Sequence, residues 1–283
     1  MPSFTLLGQS LLSGLFIGAL YGLFGLGLSL SWGLLRQINL AHFALAFLGA
    51  YLTYQLSSVA GIDPLATLAI TVPAFFLFGV LLHWLLVRFS ISPFNSLLVT
   101  FGLTVILESL IQWIWTADYR RLESGYAQVK FRVGEMYISL PDLITLLIAS
   151  GLSIAIWAAL RFTDLGKAMR AVAEDAPIAA AFGVNERALG LLLSGASASL
   201  AGIAGMCLAL SFTLAPAQIY AWVGVVFAVV MIGGLGNPLG ALIAGTVIGI
   251  AEAVTMAVTA PAWAPLVSFS LLIAVLLFRP DKI

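Results

Sequence analysis

Between Arg187 and Glu252 the chain carries no Asp, Glu, Lys or Arg, and none precedes Arg36. At about 20 apolar residues per crossing, residues 188–251 hold more than two membrane spans and residues 1–35 at least one. Charged residues make up 8% of the whole chain, against roughly 25% in soluble domains. A water-soluble core is excluded, and the chain reads as a polytopic membrane protein.

Hydrophobic runs bounded by charged or turn residues give candidate spans at 6–35, 40–60, 64–88, 94–116, 141–160, 188–214, 219–235, 238–260 and 264–278. The first is long enough to cross and tilt, or to cross and continue as a bent piece. The seventh runs into Gly233-Gly234-Leu235-Gly236-Asn237-Pro238, so a crossing and a re-entrant half-helix both remain open for it. The expected fold class is all-α, a transmembrane helical bundle of eight or nine spans forming one domain over 1–283. The first apolar segment lacks a basic leader and is too long for a signal-peptide core, so it is expected to be retained.

If all nine runs cross, Arg36, Arg88, the 161–187 loop and the Arg279/Lys282 tail share one side, with Asp63 and the 117–142 loop opposite. The first side then holds eight of the twelve Lys and Arg residues and is assigned to the cytoplasm. The two long loops are each balanced in charge, so the short loops and the tail decide the orientation. In the outer loop, 117–140, Val129–Val133 and Tyr137–Leu140 alternate as a hairpin around Gly134-Glu135. That loop is either a solvated connector or part of a docking surface for an external protein.

Several function classes find no support. Net charge is zero, which leaves no nucleic-acid footprint. Cys207, the single cysteine, cannot form an intrachain disulfide. No phosphate-binding Gly-x-x-x-x-Gly-Lys-[Ser/Thr] loop, metal-ligand spacing or nucleophile motif occurs, so neither catalytic residues nor a metal site are expected.

Polar groups inside spans are costly and are therefore the first candidates for function. Asn39 and His42 are three residues apart and would line one polar spot if both were helical. They are pathway residues or structural ones. Thr100, Thr104 and Glu108 share a face at a spacing of four, lining a cavity or satisfying neighbouring helices. Glu252 follows the Gly-rich block 233–241, which is either a turn or a helix-terminus site for a carboxylate. His83, beside Trp84, reads as structural. Gly14, Gly18 and Gly22 form a small-residue stripe, as do Gly195/Ser199, Ala198/Gly202 and Ala201/Gly205, and both signal close helix packing.

The segment 163–185, TDLGKAMRAVAEDAPIAAAFGVN, is charged and amphipathic between apolar runs. Thr163 or Asp164 is expected to cap a helix reaching about Asp175, with Pro177 forcing a change of direction and Gly183 ending a second piece. Leu165, Ala168, Met169 and Val172 recur at helical spacing, with Lys167, Arg170 and Glu174 on the other side. So short a helix is marginal alone in water. It either lies on the membrane surface or docks on a partner.

Four blocks carry a family resemblance. Thr-x-x-Gly-Lys-Ala-Met-Arg-Ala with Ala-Ala-x-x-Gly-Val-Asn, Ile38-Asn39-Leu40-Ala41-His42, the Gly-rich 233–241 run and the Leu-Leu-Phe-Arg-Pro ending resemble the branched-chain amino acid ABC transporter permeases. Leu40 stands where that family has Phe, and Phe43 where it has a Gly that would ease a helix break. The resemblance implies the permease of a bacterial inner-membrane importer, with no cofactor on this chain and ATP bound by partners. Those partners would be two ATPase subunits, a homologous second permease and a periplasmic substrate-binding protein. It also implies that the 161–187 loop docks on the ATPase, through Gly166, Lys167, Met169, Arg170, Glu174 and Gly183. Asn39, His42, Thr104, Glu108 and Glu252 are carried as candidate pathway residues. The implied solutes are leucine, isoleucine or valine, although the family also includes importers of urea and short amides. A self-sufficient secondary transporter or channel is the alternative of a different class.

Overall fold

The computed structural model describes residues 4–89 and 91–278. The Arg279/Lys282 tail and the Arg-Pro of the terminal motif lie outside the described residues. Each predicted apolar run forms a helix: α1 (Phe4–Leu35), α2 (Ala41–Ser58), α3 (Leu68–Arg88), α4 (Pro93–Trp115) and α5 (Leu140–Phe162). After two short helices, α6 (Asp164–Glu174) and α7 (Ala176–Ala181), come α8 (Glu186–Ser211), α9 (Ile219–Gly233), α10 (Pro238–Val258) and α11 (Ala264–Phe278). Starts are set locally. Ser92, Ser139, Asn185 and Asn237 cap α4, α5, α8 and α10, each side chain accepting a backbone N–H three residues on.

Among the described residues, seven helices are long and apolar enough to cross a membrane, counting Pro216–Gly233 as one. The chain is a multi-pass membrane protein, and the expected eight or nine spans exceed that count slightly. The two that fall short have different reasons. Described as a helix, α11 has only 15 residues. By contrast α2 reaches 18 but carries His42, Thr53 and Gln55. It packs against α8, α4 and α9, and most of its residues are buried. A helix wrapped in protein need not match lipid along its length, so its sequence signal is weaker than that of a lipid-facing span.

The core is built by close approach of backbones. Helix α1 runs along α10, with the Gly14–Gly18–Gly22 stripe facing Gly245 and Gly249, while α8 is flanked by α2 and α3. The turn between α9 and α10 uses two left-handed glycines, Gly234 (φ 90) and Gly236 (φ 70). There the Gly236 N–H donates to Ser29 of α1, which ties the turn to the bundle.

The short loops sort between the two ends as the charge pattern predicts. Arg36 meets the α6–α7 segment at one end, called inner below. At the outer end Asp63 bonds Tyr126, and Gln9 of α1 bonds the backbone of Tyr137. The expected hairpin forms as β1 (Lys130–Val133) and β2 (Met136–Ser139), antiparallel, with Gly134 at φ 65.

Candidate functional site

At the inner end, Thr163 caps α6, its hydroxyl accepting the Gly166 N–H at 3.0 Å. Asp175 caps α7 by accepting from Ile178, Pro177 sits in the first turn, and Gly183 ends the piece at φ 87. Met169 and Gly166 face the bundle and are buried, whereas Lys167, Arg170 and Glu174 are exposed. Lys167 pairs with Asp164 at 2.9 Å, holding that exposed carboxyl below its usual range. The apolar side chains divide between two directions. Leu165, Ile178 and Phe182 point away from the bundle, Phe182 being 85% exposed. Exposed apolar side chains on a charged segment mark a surface for the membrane interface or for another protein.

Arg36 is a functional candidate that sequence reasoning missed. It adopts φ 54 just past α1, a conformation costing a non-glycine residue about 1–2 kcal/mol. From there its guanidinium donates to the carbonyls of Ala173 (2.8 Å) and Glu174 (3.4 Å). Those carbonyls end α6, where a cation is favoured by the helix dipole. The charge was visible in sequence as the first after a long apolar run, but its partner lies 137 residues on.

The intramembrane polar groups are not brought into one site. Asn39 lies in the linker before α2, so it shares no helix face with His42. Its Oδ1 has no hydrogen-bond partner and borders a gap of about 10 Å³ beside Ser31 and Thr100. His42 is fully buried, and its Nε2 donates to the Phe24 carbonyl at 3.1 Å. Thr104 is buried and bonds the Thr100 carbonyl within its own helix, while Thr100 accepts from the Leu40 N–H. Glu108 is half-buried, accepting from Tyr220 at 2.7 Å and from Gln112 at 3.2 Å.

Glu252, 7% exposed, accepts from Tyr21 of α1 at 2.9 Å and from Ser268 of α11. A buried group left without its partner costs about 1–3 kcal/mol. Thermal unfolding of the detergent-purified protein should therefore show Tyr21→Phe destabilised by about that amount. Glu252→Gln keeps an acceptor oxygen and should lose less. Equal melting of Tyr21→Phe and wild type would remove the pair from the account of stability.

At the outer end, the Tyr126 hydroxyl donates to Asp63 at 2.6 Å, and this bond holds the Asp63 carboxyl below its ordinary 3.8. The contact therefore stabilises the loop fully above pH 3.8 and is lost as pH falls through the lowered value. Limited proteolysis of the 117–139 loop should accelerate below that point. In Asp63→Asn the acid-dependent step should vanish; its survival there would assign the step to another group.

The family described as branched-chain amino acid transport system / permease component matches residues 10–276. The high-affinity branched-chain amino acid transport system permease protein LivH of Salmonella typhimurium is 25% identical, over 97% of this chain and 94% of its own length. BraD of Pseudomonas aeruginosa, with the same description, is 26% identical over 100% and 97%. A probable branched-chain amino acid transport permease protein LivH of Methanocaldococcus jannaschii is 28% identical over 91% and 86%. No solved structure matches the chain.

Proposed function

The chain belongs to the branched-chain amino acid transport permease family, and from that premise we propose that it is the membrane-spanning subunit of an ATP-driven importer of branched-chain amino acids. The observation that carries this reading is the α6–α7 segment, held to the bundle by Met169, Gly166 and Arg36 while Leu165, Ile178 and Phe182 point away from it. Such a rigid helix pair converts the closing of an ATPase into rocking of the spans. Gly166 and Met169 seat the segment, Lys167, Arg170 and Glu174 meet the ATPase, and Gly183 ends the docking surface. The chain itself has no phosphate-binding loop, so ATP belongs to the partner subunits.

Glu108 supports a second permease subunit. It lies two turns inside α4 and is only half-buried, next to the exposed Tyr220. A carboxylate at that depth cannot face hydrocarbon at low cost. A second permease, with a water-filled path between the two, gives it polar surroundings. The relatives carry branched-chain amino acid transport in their names, which is why that solute class is preferred. An external binding protein would deliver it at the outer loop in the bacterial inner membrane.

Tagged protein recovered from native membranes should bring with it an ATPase and a second permease. Phe182→Ala with Ile178→Ala should lose the ATPase while keeping the permease partner. Recovery of the wild-type chain alone, intact and active in uptake, would instead establish a self-sufficient transporter.

A further inference from the structure

The inner end holds a cavity of about 650 Å³, within the range of roughly 300–1,000 Å³ seen for small-molecule sites. One wall belongs to the bundle: Leu34 and Leu35 at the end of α1, His83 and Val87 of α3, and Gly190 of α8. The other is the joint between α6 and α7, with Val172, Glu174, Asp175 and Pro177. Arg36, Glu186 and Arg187 complete the rim. None of these charges belongs to an ion pair, since Lys167–Asp164 is the one pair among the described residues. His83 is 6% exposed, and its Nδ1 has no hydrogen-bond partner.

Charges of both signs that do not neutralise one another, set around an aliphatic floor, match a particular ligand chemistry. The Glu186 carboxylate suits an ammonium group. The Arg187 guanidinium suits a carboxylate. Leu34, Val87 and Val172 suit a branched aliphatic side chain. We propose that this cavity binds a small zwitterion with an aliphatic side chain from the inner side, and that occupancy restrains the α6–α7 joint and slows import. The binding stands on the cavity itself, while the regulatory half rests on the importer reading. The physical basis of that half is location. A ligand between the bundle and the moving joint favours one spacing of the two, and it shifts their equilibrium by its differential affinity.

The test has two arms. In the first, L-leucine is titrated calorimetrically into the full-length chain in phosphatidylglycerol nanodiscs. Saturable binding is expected, with 4-methylpentanoate and 3-methylbutylamine, each lacking one charge, weaker by about tenfold. Arg187→Ala and Glu186→Gln should each weaken leucine by a similar factor without moving the thermal unfolding midpoint, because both residues are exposed. Absent leucine binding, equal binding of all three probes, or unaffected variants would overturn the site. Displacement of leucine when phosphatidylethanolamine is added would assign the cavity to a lipid headgroup and overturn the free-solute proposal.

In the second arm, the assembled importer is reconstituted in vesicles. Internal leucine should slow entry of labelled leucine through the wild type several-fold and lose that effect in Arg187→Ala. Entry indifferent to internal leucine overturns the regulatory half. No ATP-driven entry even into empty vesicles refutes the importer reading, and the first arm then judges the site alone.

Discussion

Replacing Gly166 with Ala is expected to reduce ATP-driven uptake by tenfold or more while leaving the bundle folded. A methyl group there would lie 2.4 Å from both the Ala159 carbonyl oxygen and the Leu160 Cα, and 2.5 Å from the Leu160 oxygen. All three atoms are backbone of α5, so no flexible side chain can swing aside. The helix α6 has to move instead, carrying Met169 out of its seat and its terminal carbonyls away from Arg36. Intrinsic propensity acts in the opposite direction, because Ala favours a helix over Gly by about 1 kcal/mol. The helix itself therefore persists, and lost activity reports its displacement. Uptake in reconstituted vesicles and thermal unfolding of the same preparation separate the two effects. Uptake within about twofold of wild type would mean that the seating of α6 carries no coupling, against the mechanism of helix-borne motion. A variant that fails to fold is distinguished by its lost unfolding transition, and Arg36→Ala then tests the same seating from the other side.

How much was legible in the sequence depends on how local each cause is. The inner segment was readable almost residue by residue, because Thr163, Pro177 and Gly183 act on the backbone within a few positions of themselves. The apolar runs were readable too, since lipid-facing helices must be apolar along their length. Burial of α2 by its neighbours is not readable, and the expected count exceeds seven because α2 carries His42, Thr53 and Gln55 and α11 is short. The spacing of Asn39 and His42 sets them on one face only if both are helical, and α2 begins at Ala41. The tyrosine partners of Glu108 and Glu252, Tyr220 and Tyr21, lie 112 and 231 residues away, and no local pattern encodes them. A stripe of small residues lies between these cases. The Gly14–Gly18–Gly22 stripe announces a close neighbour without saying which helix it is.

That neighbour is α10, which makes the cost of filling the stripe specific. At Gly18 an added Cβ would lie 2.6 Å from the Gly245 oxygen and from the Thr246 Cα. From the other side, a Cβ at Gly245 would lie 2.5 Å from the Gly18 oxygen and the Gly22 nitrogen. The two backbones touch, and neither offers a side chain that can yield. Gly18→Leu is therefore expected to cost more than the roughly 1–3 kcal/mol of ordinary overpacking. In lipid no hydrophobic effect draws the separated helices back together, since their association depends on this packing. Separation would also pull Tyr21, three residues along α1, from Glu252 on α10 and leave a buried carboxylate short of a partner. The expected outcome is loss of monodisperse protein on size exclusion and a collapse of the thermal unfolding midpoint. Gly102→Leu is the matched control, because nothing lies within 4 Å of a Cβ there, and it should behave as wild type. If Gly18→Leu and Gly102→Leu prove equally stable, α1 and α10 are not in backbone contact. The Tyr21–Glu252 bond would then be too weak a link to hold the two helices together.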